Sequence, residues 1–540
     1  MRERAWWKEA VVYQIYPKSF YDSNGDGVGD LPGITAKLDV LKTLGVDVLW
    51  LTPVYASPEV DNGYDISDYR AINPRFGTMA DFEHLLTEAH RRGLKVIMDL
   101  VVNHTSDQHP WFVESRKSRD NPYRNYYIWR DGRDGRAPNN WGGHFTQSAW
   151  SFDAATGQYY LHIFSPQQPD LNWENPAVRQ AVQQIIEWWL DKGIDGFRLD
   201  AINLIAKAPG LPDNRGEGRY VFSIEHFCNQ PRFHDYMQEL HRAVFAKHNM
   251  LTVGECADLK VEDAIAVSAP ERRELNMAFL FEHTDYYNMV GKDAQKLKEI
   301  LTRWQTELQG RGWAGIAFNN HDQPRVVSCF GDDARYRVES AKLFATLLLT
   351  LEGTPFLFQG EEIGMTNAVY ATIEAYNDVQ TVNLYRERVA AGEDPDAVFA
   401  AVRATSRDRG RSPYQWSAAP HAGFTTGRPW IGVNPNYIDI NLDANLADPD
   451  SVFHYYRQMI ALRKATPAFI YGEFIPQPAP VELFVYQRVE GNQRYQVVLN
   501  LGAEAVTYTC TGRLLIGNYA IHDAKRLQPY EARVYRIESE

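Results

Sequence analysis

Apolar residues in this 540-residue chain fall into short, β-rich runs, each ending in polar or Gly-containing sequence. Eight recur: AVVYQIYP (10–17), VDVLWLTP (46–53), KVIMDLVV (95–102), GFRLD (196–200), LTVGE (251–255), NMAFLFE (276–282), GIAFNNHD (315–322) and TPFLFQG (354–360). Helix-length amphipathic stretches fill most intervals. TAKLDVLKTLG, MADFEHLLTEAHRRG, NPAVRQAVQQIIEWWLDKG and ESAKLFATLLLTLEG are the clearest, and Gly at their ends marks a C-terminal stop. Alternation of strand and helix predicts a parallel sheet. The periodicity also fits a doubly wound sheet, but eight units favour a (β/α)8 TIM barrel in the α/β class.

Two intervals are too long for a simple barrel. The stretch from Val102 to Gly196 contains NNWGGHFTQSAWSFDAATGQYYLHIFSPQQPDLNW, which is aromatic, Gly-rich and poor in helical periodicity. It predicts an inserted domain after strand 3. The stretch after the eighth run holds RSPYQW and HAGFTTGRPW and predicts a subdomain at about 361–440. ELFVYQRV, RYQVVLNLG, VTYTCTG and ARVYRIE then alternate at period two between Gly and Asn turns, which predicts an antiparallel β-sandwich domain at the C-terminal end. The expected division is a first barrel part at 1–103, an inserted domain at 104–170, the remaining barrel at 171–468 and a C-terminal β domain at 469–540.

Composition narrows the class. Apolar residues at 44% and charged residues at 23% describe a folded chain. A net charge of −13 argues against nucleic acid and anionic membrane as partners, because both require clustered cations. The chain has 14 Trp and 30 Tyr, more polar-tipped rings than a core requires, so many are expected to line a site. Cys228, Cys256, Cys329 and Cys510 lie far apart with no CxxC pair, which points away from disulfides and zinc and toward a reducing compartment. The beginning of the chain lacks a signal-peptide pattern, and no apolar run reaches 18 residues. A cytoplasmic enzyme is the expectation.

Active sites of such barrels lie at the C-terminal ends of the strands. Strand three leads to Asn103 and His104, strand four to Arg198 and Asp200, strand five to Glu255, and strand seven to Asn320, His321 and Asp322. One carboxylate at a strand end is commonly a helix cap or ion-pair partner. Three converging on one face suit glycoside hydrolysis, which uses one carboxylate as nucleophile or water holder and another as acid. Arg198 precedes Asp200 by two residues, on the same strand face, and is expected to keep it ionised. Glu255 follows the apolar LTVG with no adjacent cation, so desolvation should raise its pKa, as a general acid requires.

DLVVNH (99–104), GFRLDAIN (196–203), GE within LTVGEC (251–256), NNHDQPR (319–325) and QPDLN (168–172) resemble five motifs of the α-amylase family, glycoside hydrolase family 13. YQIYPKSF, NGYDISDY, QGEEIGMTN and SRDRGRSPYQW resemble its bacterial oligo-1,6-glucosidase and α-glucosidase subgroup. The resemblance implies Asp200 as nucleophile, Glu255 as acid/base and Asp322 as stabiliser of the distorted sugar. It implies that Arg198 orients Asp200 and that His104 and His321 bind the same glucose. Asp61 and Tyr64 would close the pocket, with Asp61 paired to Arg411, making the enzyme exo-acting. Phe145, Phe164 and Gln168 would form the rim. No cofactor is implied for catalysis. The partner would be a short oligosaccharide or disaccharide; the oligomeric state stays open.

DSNGDGVGD matches the first nine positions of a calcium loop: Asp22, Asn24 and Asp26 alternate, the Val28 carbonyl follows, and Asp30 stands at the ninth place. The twelfth place is Gly33 rather than Glu. An Asx-rich turn without an ion is the alternative; the resemblance favours a structural Ca2+.

In the subgroup, Val after the nucleophile accompanies α-1,6 preference and smaller residues or Thr accompany α-1,4. Ala201 stands there, and the acid/base motif reads GECADLK rather than GEMPGVT. Both favour an α-glucosidase acting on maltose-like α-1,4 substrates. Oligo-1,6-glucosidase, trehalose-6-phosphate hydrolase and transglucosylase are the alternatives. FEHTDYYN stands where sucrose isomerases carry an Arg-rich loop, which argues against isomerisation. Non-catalytic scaffold relatives carry a membrane span and lack the carboxylates that this chain retains.

Overall fold

The computed structural model describes residues 3–509 and 511–538; Cys510 lies outside them. Eight parallel strands close into a barrel. They are β1 (Val12–Ile15), β2 (Val48–Leu51), β3 (Lys95–Val101), β4 (Gly196–Asp200), β5 (Leu251–Gly254), β6 (Met277–Leu280), β7 (Ala314–Ile316) and β8 (Thr354–Phe358). Each pairs with its neighbours in chain order, and β8 closes on β1 with Val12 opposite Phe356. The strands are apolar almost throughout because both faces are covered. Val12, Val48, Trp50, Ile97, Val253, Met277 and Phe279 fill the interior, while alternate positions such as Tyr13, Leu49 and Leu199 join the cluster under the helices.

One glycine is dictated by strand spacing. Gly196 has φ 151°, and a β-carbon there would sit 2.0 Å from the Leu251 carbonyl oxygen. No other residue lets β4 approach β5 so closely.

The predicted helices form, with local chemistry that explains their ends. Met79–Arg91 starts at a capping box in which Asp81 N–H donates to Thr78 Oγ1 and Thr78 N–H donates to the Asp81 carboxylate. Pro176–Asp191 is capped by Asn175, whose side chain accepts from Ala177 N–H, and buries Val178, Val182, Ile185, Ile186 and Trp189. The first expected helix breaks at Lys37 into Leu31–Ala36 and Leu38–Leu44. Arg337–Thr350 departs from its amphipathic expectation: every residue from Ser340 to Thr350 is buried. The C-terminal sheet covers its outer side, where Thr350 Oγ1 lies 2.5 Å from Tyr486 Oη and Arg488 donates to the Thr350 carbonyl.

Between β3 and β4 the chain builds helix Pro110–Ser115 and a three-stranded antiparallel sheet. Its strands Trp150–Asp153 and Gln158–Leu161 form a hairpin, and Trp129–Arg130 pairs with the second of them. The core of this insertion is shared. Trp141, Trp150, Leu161 and Ile163 pack with Leu204, Leu211, Phe227 and Cys228 from the long loop after β4. Asn139 and Trp141 also donate to the carbonyls of Leu211 and Pro212.

After β8 the chain forms helices Val379–Ala390 and Pro395–Thr405, the first reaching the insertion through Asn383, whose amide donates to the Phe145 carbonyl. The C-terminal strands Glu473–Pro476, Leu483–Glu490, Gln493–Asn500, Ala532–Ile537 and Arg513–Gly517 pair in that order as one antiparallel sheet. A two-stranded ribbon, Val506–Thr507 with Arg526–Leu527, packs Leu527 against Leu483, Val485 and Val498 of that sheet. Among the described residues of VTYTCTG, Val506–Thr507 is strand.

Candidate active site

The inward parity of the strands sets the site. Gln14, Trp50, Asp99, Arg198, Asp200 and Glu255 continue the interior series at the C-terminal ends of β1 to β5. Asp200 and Glu255, together with Asp322 after β7, line a cavity of about 530 Å3.

Arg198 is fully buried and serves three carboxylates. Its Nη1 bonds Asp99 and lies 2.6 Å from Asp200 Oδ1, and its Nη2 lies 2.7 Å from Glu255 Oε1. Glu255 Oε2 accepts the Ala201 N–H at 3.0 Å. Ala201 holds that N–H in place with a left-handed backbone, φ 42°. Two expectations are corrected here. Glu255 does have a cation, because the barrel brings β5 beside β4 and Arg198 reaches both. Arg198 also does not hold Asp200 low: burial outweighs it and, with Asp99 nearby, pushes the Asp200 carboxyl up to about 7. Burial also raises Glu255, against the pull of Arg198, and lifts Asp99 to about 6. Three carboxylates sharing one guanidinium cannot all ionise cheaply.

Asp322 has the opposite environment. It bonds Arg411 Nη2, lies 3.3 Å from Arg407 Nη1 and 3.1 Å from His321 Nε2. Burial alone would raise its pKa, but His321 and the two guanidiniums hold it well below the carboxylate range. The Gln14 amide faces His321 Nδ1 at 2.7 Å, which leaves the ring proton on Nε2, toward Tyr64 Oη at 2.6 Å and Asp322.

The sequence-predicted residues converge, with further corrections. Asp61 pairs with Arg407, at 2.9 Å, not with Arg411. The short turn Arg407–Arg409 sends Arg407 toward Asp61 and Asp378, while Arg411 donates to the His321 carbonyl. Phe145 and Phe164 line the pocket in contact with each other, ring centroids 5.4 Å apart. Gln168 belongs to the buried floor rather than the rim, with its amide 3.1 Å from Asp61 and 3.2 Å from His104. Tyr64 is buried, and its carbonyl lies 3.1 Å from His104 Nε2.

Asp99, Arg407 and Asp378 were missed. Asp99 was readable, since it stands two places after inward Ile97. Nothing local marks Arg407 over Arg409 or Arg411 in SRDRGRS.

The calcium expectation finds no assembled ligand set. Among the described residues no group of three or more His, Cys, Asp or Glu is arranged to hold a metal. Asp22 accepts the N–H groups of Asn24, Gly25 and Gly27. Asp26 accepts from Val28, and Asp30 caps helix Leu31–Ala36 through Gly33 N–H. The turn closes on itself through these bonds.

A parallel barrel with carboxylates of contrasting environment around one pocket is the equipment of a glycoside hydrolase. Residues 14–472 match the family model described as the α-amylase catalytic domain, and residues 483–536 match a β-galactosidase C-terminal domain. The chain belongs to the α-amylase family. It is 53% identical to an oligo-1,6-glucosidase of Parageobacillus thermoglucosidasius, covering 99% of each chain. It is 47% identical to an α-glucosidase of Pediococcus pentosaceus, covering 98% of this chain and 99% of that one. The crystal structure of trehalose-6-phosphate hydrolase from Bacillus licheniformis superposes with TM-score 0.92 at 45% identity, over 99% of this chain and 100% of that one. Among the described residues no helix is long and apolar enough to cross a membrane.

Proposed function

We propose that the protein is a retaining, exo-acting α-glucosidase. It releases α-glucose from the non-reducing end of short, maltose-like α-glucosides by double displacement. One observation carries the reading: Asp200 and Glu255 share the two arms of the Arg198 guanidinium, with Asp322 on cations of its own. Sharing one guanidinium keeps two carboxylates close, in keeping with the roughly 5–5.5 Å of retaining enzymes rather than the wider gap of inverting ones.

In this reading Asp200 attacks the anomeric carbon and Glu255 protonates the leaving oxygen. Glu255 then deprotonates the water that releases glucose. The raised pKa values of the Asp200–Glu255 pair supply the proton that the first step needs near neutrality. Asp322 stays ionised and accepts sugar hydroxyls as the ring flattens. His104, His321 and Tyr64 bind the same glucose, Arg198 orients Asp200, and Arg411 fixes Asp322. Phe145 and Phe164 contact the sugar from the insertion, and Gln168 braces Asp61 and His104. The Asp61–Arg407 pair closes the inner end of the pocket, so only a chain end fits. The domain limits 1–103, 104–170, 171–468 and 469–540 belong to the same reading, with the loop after β4 packed as part of the insertion.

Asp200→Asn should abolish turnover while leaving the protein folded by circular dichroism; near-normal activity would sink the mechanism. Ala201 supports α-1,4 preference. The names of relatives such as that of P. thermoglucosidasius support a second reading, α-1,6 cleavage. Rates on maltose, isomaltose, sucrose, trehalose and trehalose 6-phosphate decide between them.

We also infer a structural Ca2+ at Asp22, Asn24, Asp26, the Val28 carbonyl and Asp30. Asp22 and Asp30 are buried close together, no Lys or Arg lies within ion-pair distance of either among the described residues, and burial and Asp22 raise the Asp30 carboxyl. An ion would have to replace some N–H donors of the turn. A melting temperature unmoved by calcium or chelator would remove the site. Free, buried Cys228, Cys256 and Cys329 support a cytoplasmic setting.

A further inference from the structure

The outer half of the pocket has its own chemistry. Phe222 and Met289 stand at its edge, 54% and 78% exposed, beside Phe281 and Ile224. The polar groups among them are Asp258, Asp285, Asn288 and Gln323. Asn288 and Gln323 satisfy each other at 2.7 Å, and Asp258 pairs with Lys260 at 2.7 Å.

Asp285 differs. It stands in the first turn of helix Glu282–Val290, and its carboxylate has no hydrogen bond or ion pair among the described residues. Burial, with Asp258 nearby, pushes it up to about 6 against the pull of Lys260. A carboxylate turned toward a cavity without a partner lacks a donor that a ligand can supply.

Lys260 attracts this carboxylate from beyond ion-pair distance, but its ammonium is held by Asp258 and does not line the pocket. Arg407 is the one Lys or Arg lining the pocket among the described residues, and it is already engaged by Asp61, Asp378 and Asp322. His144 and His104 are kept neutral by burial, the first pushed down to about 4.

The geometry points to Asp285, with Asp258 beside it, as the residue that selects the leaving group. It accepts hydroxyl or ammonium donors of a neutral or cationic aglycone whose apolar face rests on Phe222 and Met289, and it excludes phosphorylated ones. This rests on the glucosidase reading above, in which the outer pocket holds the leaving group.

The test uses maltose carrying a hydroxyl, an amine or a phosphate at C6 of its reducing unit. The wild type should rank them amine at or above hydroxyl, and both at least about 30-fold above phosphate in kcat/KM, as like charges a few ångströms apart require. Asp285→Asn should shrink the hydroxyl-to-phosphate ratio about 10-fold, and added salt should shrink it in the wild type. The same ratio is read as Kd on Asp200→Asn, so a wild type that turns over none of the three would sink the glucosidase reading while the Kd ratio still decides this one. A phosphate form handled as well as the hydroxyl form, or a ratio unmoved by Asp285→Asn, would overturn the assignment.

Discussion

Removing the Asp200 charge should make the protein more stable at alkaline pH. The carboxyl is raised from 3.8 to about 7 by burial, so in the folded state it favours the proton. A group with a raised folded pKa contributes full stability below its unfolded pKa and loses it as pH rises through the folded one. The penalty therefore builds between about pH 4 and pH 7 and is constant above. At 1.36 kcal/mol per unit, a shift of about 3 units sets an upper bound near 4 kcal/mol. Asp99 and Glu255 share Arg198 and relax when one charge is removed, which brings the gain to about 2 kcal/mol. Asn keeps the shape of Asp, and Arg198 keeps two carboxylate partners. At about 2.1 cal/mol/K per residue of unfolding entropy, that gain is worth about 2 °C in a chain of this size. Scanning calorimetry of wild type and Asp200→Asn from pH 4 to pH 8 measures it. The variant should melt about 2 °C higher at pH 8 and level with wild type near pH 4. A variant less stable at pH 8, or a gain independent of pH, would refute the reasoning.

Glu255→Gln should slow glucosides with poor leaving groups by about 10²–10⁴-fold, and activated aryl glucosides far less; equal losses on both would remove the acid role. Glucose should appear first as the α-anomer in an NMR time course, and β-glucose first would rule out retention. Arg407→Ala leaves Asp61 and Asp378 buried without their cation, so the variant should lose about 3–5 kcal/mol of stability by denaturant unfolding. It should also lose its preference for chain ends, read as new cleavage within longer oligosaccharides.

The strands and the carboxylates that meet at the pocket were legible because both obey local rules. A barrel strand must be apolar on both faces, so β1 to β8 stand out as runs, and period two carries the inward face of Arg198 to Asp200. The same rule, applied to Ile97, would have found Asp99. What local rules do not contain is who meets whom across the fold. Arg407 and Arg411 occupy equivalent places in one short loop, and only the packing of that loop over the barrel assigns one to Asp61 and the other to Asp322.

The amphipathic reading of 339–353 failed for the same reason. Its polar residues Ser340, Lys342, Thr346 and Thr350 are of kinds that suit a solvent-facing side, yet all four are buried by other segments of the fold. Lys342 and Thr350 find their partners in other segments, the carbonyl of Asp450 and the hydroxyl of Tyr486. The core of the insertion likewise draws half its side chains from the loop after β4, nearly 50 residues downstream in the chain.

By itself, then, the sequence determined the element types, the order of the barrel and which carboxylates stand at the strand ends facing the pocket, because periodicity and strand-end position are properties of neighbouring residues. The tertiary structure alone decided the charge state of the site. Whether Asp200 keeps its proton depends on how many carboxylates share Arg198 and how little water reaches them, and both are set by strands that meet only when the barrel closes.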